Sequence, residues 1–146
     1  MNYIFSAIFL YFFLGFLLYI FQRRIVFNKS GHPGAPKDYN LDNTEEVYIK
    51  TEDNLKLLSW YHKGNNSLPL IVYFHGNSFH IGDRAYRIQR YIEKNWSVLL
   101  VSWRGFGGNE GNPTEKNLYK DAEAVLKWIK NNTEFKFKEL VIYGES

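Results

Sequence analysis

Residues 98–129 read VLLVSWRGFGGNEGNPTEKNLYKDAEAVLKWI. Val98 to Ser102 is a short continuous apolar run, the pattern of a strand covered on both faces. Gly105, Gly107, Gly108 and Gly111 then break any regular element, and Pro113 precedes a helix start at Thr114. From Thr114 to Lys130 the spacing of Leu118, Ala122, Val125, Leu126 and Ile129 predicts an amphipathic helix. A buried strand, a glycine-rich turn and a covering helix make one repeat of a parallel α/β sheet.

The flanking segments continue the pattern. Upstream, Leu70 to Phe74 is a second doubly covered strand, and Arg84 to Lys94 carries Ile88, Tyr91 and Ile92 at helical spacing. Downstream, Leu140 to Tyr143 is a third. Before these, Glu46–Thr51 and Leu55–Tyr61 suit a hairpin closed by Glu52, Asp53 and Asn54. The expected architecture is an α/β domain with about five strands in a mostly parallel sheet and two helices, over residues 45–146.

Sites in such sheets form beyond the carboxyl ends of the strands. Three places qualify: His75-Gly76-Asn77-Ser78, Trp103-Arg104-Gly105 onward, and Gly144-Glu145-Ser146. Each has a plain alternative reading. His75 could be a hydrogen-bonded loop histidine, the glycines a flexible loop without a phosphate-loop lysine, and Gly-Glu-Ser a chance triplet. Their order at consecutive strand ends is what carries chemistry, because Gly-x-Ser after a buried strand is the start of a nucleophile elbow.

The N-terminal end is of a different kind. Tyr3 to Phe21 is apolar on every face, and the first charge is Arg23. At about 1.5 Å per residue such a run spans the hydrocarbon core of a bilayer. A cleavable signal would need a basic start and a small-residue cleavage site, neither of which is present. A single-pass anchor at 3–21 and a juxtamembrane linker at 22–44, punctuated by Gly31, Pro33, Gly34 and Pro36, are expected. Arg23, Arg24 and Lys29 follow the run, so the positive-inside rule places the rest of the chain in the cytoplasm. Arg23 and Arg24 could also touch anionic headgroups. Asn28-Lys-Ser, Asn65-Asn-Ser and Asn131-Asn-Thr fit the glycosylation acceptor pattern and would count only in a lumenal domain.

The 146 residues contain no cysteine, which excludes disulfides, thiolate metal sites and a cysteine nucleophile. A net charge of +3, with its cations dispersed among 15 acids, leaves no nucleic-acid footprint. No cofactor or metal is expected.

FQRRIVF, IVYFHGN, the 101–129 segment and VIYGES together resemble the α/β-hydrolase superfamily, and within it a membrane-anchored serine-hydrolase branch with depalmitoylase-like and serine-aminopeptidase-like members. The likeness covers nearly all of residues 21–146 and implies the first half of that fold. It implies that Ser146 is the nucleophile and that Asn77 gives a backbone N–H to the oxyanion hole. His75, Gly76, Arg104, Gly105 and Gly144 would be structural residues near the site. Ser78-Phe79-His80 departs from the family, which has small residues after His-Gly-Asn.

In this superfamily the acid and the histidine follow the serine along the chain. Of the four histidines, His32 lies in the linker, His62 at a strand end, and His75 and His80 around the His-Gly-Asn loop. Only the loop of His80 is placed to face Ser146. The expected function is therefore the N-terminal portion of a membrane-anchored esterase, thioesterase or peptidase, truncated at the elbow and inactive alone. Two alternatives stand beside it: a hydrolase completed by a C-terminal half in trans, and a non-enzymatic membrane protein that binds a partner through an exposed fifth-strand edge.

Overall fold

The computed structural model describes residues 2–27, Lys29 and residues 31–145. Its elements are α1 (Asn2–Val26), β1 (Thr44–Lys50), β2 (Lys56–His62), β3 (Leu70–Phe74), α2 (Ala85–Ile92), β4 (Ser97–Val101), α3 (Glu115–Asn132) and β5 (Leu140–Gly144). Of the first acceptor pattern, Asn28 and Ser30 lie outside the described residues.

The five strands form one sheet in the order β1-β2-β4-β3-β5. β2 pairs antiparallel with both β1 and β4, whereas β3 pairs parallel with β4 and β5. Only β2 runs against the others. β4 follows β3 in sequence yet lies between β2 and β3, with α2 forming the crossover from β3 to β4 and α3 the crossover from β4 to β5.

The period of two along the central strands sorts their side chains onto two cores. Ile71, Tyr73, Val98 and Leu100 face α2, where Ile81, Ala85 and Ile88 cover them. Leu70, Val72, Leu99 and Val101 face α3, where Ala124, Val125 and Ile129 cover them. Burying each of the valine, leucine and isoleucine side chains among them contributes on the order of 2 kcal/mol.

Local chemistry sets the element ends. Asn54 turns the β1–β2 hairpin at a φ of 63°, a left-handed conformation that asparagine tolerates. The Thr114 hydroxyl accepts a hydrogen bond from the Asn117 amide at 3.2 Å and caps α3. The helix expected from Arg84 instead begins with a 3-10 turn at Ile81–Arg84, with the Asp83 carboxylate accepting from the His80 amide.

Two features depart from the sequence pattern. α1 does not stop at Phe21 but runs to Val26, and the segment after it packs onto the domain, with Pro33 and Pro36 buried. On α3 the buried line is Asp121, Ala124, Val125 and Ile129, with Ala122 and Leu126 only half-buried. The helix is rotated so that a carboxylate faces inward.

Candidate active site

The loops after β3 and β4 are tied together by a histidine. His75 is buried; its Nε2 accepts from the Trp103 amide at 3.3 Å, so the ring proton sits on Nδ1, 2.6 Å from the Gly76 carbonyl oxygen. The Trp103 indole N–H donates back to the His75 carbonyl at 2.8 Å. Burial pulls the His75 pKa down to about 4, against the opposing effect of the Gly76 carbonyl. A neutral imidazole with both nitrogens occupied holds two loops and has no lone pair left for a substrate.

After β4 the chain turns sharply at Gly105, where φ is 77°. A Cβ there would lie 2.8 Å from the Gly111 carbonyl oxygen and 2.9 Å from Pro113. No side chain fits. Asn109 anchors the loop, donating to the carbonyls of Ser102 and Trp103 and accepting from the Leu58 amide of β2.

Arg104 is the largest polar group beneath this loop. It is 2% exposed and bonds two carboxylates: Asp53 at 2.7 and 3.1 Å, and Asp121 through Nε at 2.8 Å and Nη2 at 2.6 Å. The Arg104 amide also donates to Asp121. The Arg104 hydrogen bonds hold the Asp53 carboxyl well below the usual carboxylate range. Burial pushes Asp121 up despite the same arginine. Arg104 thus joins the hairpin tip, the site loop and α3. Its two partners were not recognised from sequence; a charged residue between Leu118 and Val125 on an apolar face was the available signal.

Glu145 follows β5 and extends its ladder, its amide donating to the Phe74 carbonyl at 2.9 Å. Its carboxylate receives Arg84 at 3.0 and 3.1 Å and the Tyr73 hydroxyl at 3.0 Å, with Arg87 at 3.8 Å. Burial alone would raise this carboxyl, but the hydrogen bonds from Arg84 and Tyr73 outweigh it and hold the group below its ordinary value. Burial also moves Tyr73 up to about 12, so its hydroxyl stays a donor. Gly144 is exposed, and a Cβ on it would meet nothing within 4 Å. Ser146 lies outside the described residues.

The end of β5 and the His-Gly-Asn loop share an apolar cleft of about 310 Å³, lined by His75, Gly76, Asn77, Gly144 and Glu145 together with Phe27, Phe74, Trp103, Phe106 and Leu118. The Phe74 and Trp103 rings stack at 4.7 Å and form its back. Phe27 also lines the cleft, edge-on to Phe106. Asn77 donates through Nδ2 to the Val26 carbonyl at 3.0 Å, so the end of α1 is bonded to the loop. In the divergent stretch, Phe79 is exposed at a φ of 61°, a costly conformation for a bulky residue. His80 lies against Gly31 and beside Asp83, and does not line the cleft.

A sheet in this order, with consecutive strand ends converging on one cleft, defines the α/β-hydrolase class. Comparison with known proteins agrees. No family model matches the chain. It is 28% identical over 139 residues to an α/β-hydrolase domain-containing protein of Arabidopsis thaliana, covering 89% of this chain and 45% of that one. It is 30% identical over 135 residues to an uncharacterized membrane protein of Saccharomyces cerevisiae, covering 88% and 47%. Among solved structures, an esterase of Pyrococcus furiosus superposes with a TM-score of 0.63 at 26% identity, over 82% of this chain and 46% of that one. The chain belongs to the α/β-hydrolase superfamily and carries the N-terminal portion of its fold. It spans about half the length of the curated relatives it matches.

Proposed function

We propose that these residues form the nucleophile-bearing portion of a membrane-anchored serine hydrolase acting on esters, thioesters or amides. Ser146 is the nucleophile and the Asn77 backbone N–H an oxyanion donor. The observation that supports this reading is that Gly144 and Glu145 share an apolar cleft with the His75-Gly76-Asn77 loop, which carries the candidate oxyanion donor. α1 is long and apolar enough to cross a membrane, and we assign it as a single span with the domain on the cytoplasmic side.

Among the described residues no histidine is placed in the cleft to act as a base. His75 has both ring nitrogens occupied, His62 is buried beside Thr44, and His32 and His80 do not line the cleft. A serine hydroxyl without a base is a poor nucleophile near neutral pH. The acid and histidine are proposed to come from a complementary C-terminal half, on the same polypeptide or in trans.

A fluorophosphonate probe tests both statements. The 146-residue chain is expected to remain unlabelled, and a fusion to the C-terminal portion of a relative to label at Ser146 and lose the label in Ser146→Ala. Labelling of the isolated chain at enzyme-like rates overturns the need for a second half. A folded fusion that labels equally well as Ser146→Ala overturns the assignment of the nucleophile.

A further inference from the structure

Beside the cleft lies a second concavity. It occupies about 390 Å³ between the last turn of α1 and the loop leading into α3, and the described residues lining it are Arg23, Arg24, Phe27, Lys29, Asn112 and Pro113. We infer that this groove binds the phosphate of an anionic phospholipid headgroup. The inference rests on the reading of α1 as a membrane segment.

Charge is the first argument. Three cations line one groove, and none of the described lining residues is a carboxylate. Lys29 is held rather than free to swing, its ammonium donating to the Asn112 side-chain oxygen at 3.1 Å. It passes over Gly105, where a Cβ would lie 3.3 Å from Nζ, so the glycine turn of the site loop also makes room for the lysine. An ammonium with one hydrogen bond keeps further N–H donors for an anion.

Position is the second. Tyr3 to Phe21 extends about 28 Å as a helix, close to the hydrocarbon thickness of a bilayer. Arg23 and Arg24 follow within one turn, at the depth of the phosphate groups. A helix C-terminus alone would repel an anion. Here the Val26 carbonyl is taken by Asn77 and the Arg23 carbonyl by the Phe27 amide, which blunts that field, and the two guanidiniums reverse it.

The third argument is connection. Phe27 lines both this groove and the apolar cleft next to Glu145. A headgroup seated against Arg24 and Lys29 therefore packs on the outer side of the cleft wall and sets the height of the site above the bilayer. Phosphatidic acid and phosphatidylserine fit the charge of the groove, whereas the choline of phosphatidylcholine is opposed by the same three cations.

The test uses the full chain in nanodiscs of phosphatidylcholine containing a minor fraction of phosphatidic acid, with retained lipids counted by native mass spectrometry. Phosphatidic acid is expected to be retained about tenfold above its share, given the attraction of several juxtamembrane cations. Asn112→Phe keeps all three charges but fills the groove, and is expected to abolish most of that enrichment. Arg24→Gln with Lys29→Gln should do the same by another route. Enrichment that survives Asn112→Phe in a chain with unchanged circular dichroism shows attraction by charge alone and overturns the site. Displacement of phosphatidic acid by millimolar inorganic phosphate also overturns it, marking a site for the free anion. Carbonate extraction of the chain separates the two readings: release into the soluble fraction sinks the membrane segment itself, whereas an embedded chain without lipid preference sinks only the groove.

Discussion

Behind two of the strand ends sit two ionic clusters with opposite charge balance. At the end of β4 one buried guanidinium, Arg104, serves two carboxylates, Asp53 and Asp121. At the end of β5 one carboxylate, Glu145, receives two guanidiniums, Arg84 and Arg87, and a phenol. The first cluster closes on itself and clamps a hairpin, a loop and a helix. The second carries an excess positive charge around Glu145, at the cleft proposed to serve a serine nucleophile. The contrast separates scaffold from site within one sheet.

The sharpest way to break it is Arg104→Met. Asp121 is fully buried, and stripping its partner leaves an uncompensated charge, so the domain should lose about 3–5 kcal/mol in chemical denaturation. The loss should shrink as pH falls and Asp121 takes up a proton. A variant as stable as the parent at neutral pH would mean that the clamp contributes nothing.

Acid acts next, through His75 between the two clusters. Its folded pKa of about 4 lies below the unfolded value, so its contribution is full above roughly pH 6.5 and is lost as pH falls toward 4. The expected loss is about 3 kcal/mol at most, seen as a falling denaturation midpoint over that window. Asp53 and Glu145, both held low, add losses of the same sign as pH falls through their folded values, whereas raised Asp121 opposes them. His75→Gln should flatten the slope between pH 4 and 6.5.

Glu145→Gln is a milder change. The amide keeps an acceptor for Tyr73 and Arg84 but gives up the charge, at an expected cost of about 1–2 kcal/mol in the same assay. Its signature is local: amide exchange at Glu145 and Tyr143 should rise while the 104–111 loop stays protected. Matching effects on both loops would erase the distinction between the clusters. Asn77→Ala should be smallest, about 1 kcal/mol or less, because it removes one exposed hydrogen bond to the Val26 carbonyl. Its readout is faster exchange at residues 76–78.

Much of the fold was legible because it is written locally. Leu70–Phe74 and Leu140–Tyr143 were recognisable as strands from unbroken apolar runs, and Thr114 as a cap from its place between Pro113 and the helix. The motif order at the strand ends pointed to the superfamily. The site was less legible. In the sequence His75 and Arg104 read only as structural neighbours of the site, and the roles of Asp53, Asp121 and Arg84 are not legible, because each meets its partner across 17 to 61 positions of chain. Immediate context can mark a residue as turned inward, as for Asp121 on an apolar helix face, but does not record which distant partner it meets.

By itself the sequence determined an apolar N-terminal helix, the identity and order of the strands, and where the chain turns at Gly105. These follow from periodicity, steric freedom and capping, which act over a few residues. Only the tertiary structure decided that β4 inserts between β2 and β3, that α3 turns Asp121 inward to Arg104, and that the end of α1 bonds to the His-Gly-Asn loop and walls the cleft with Phe27. Those outcomes depend on which distant surfaces fit together and on satisfying buried charge, and both are properties of the packed whole.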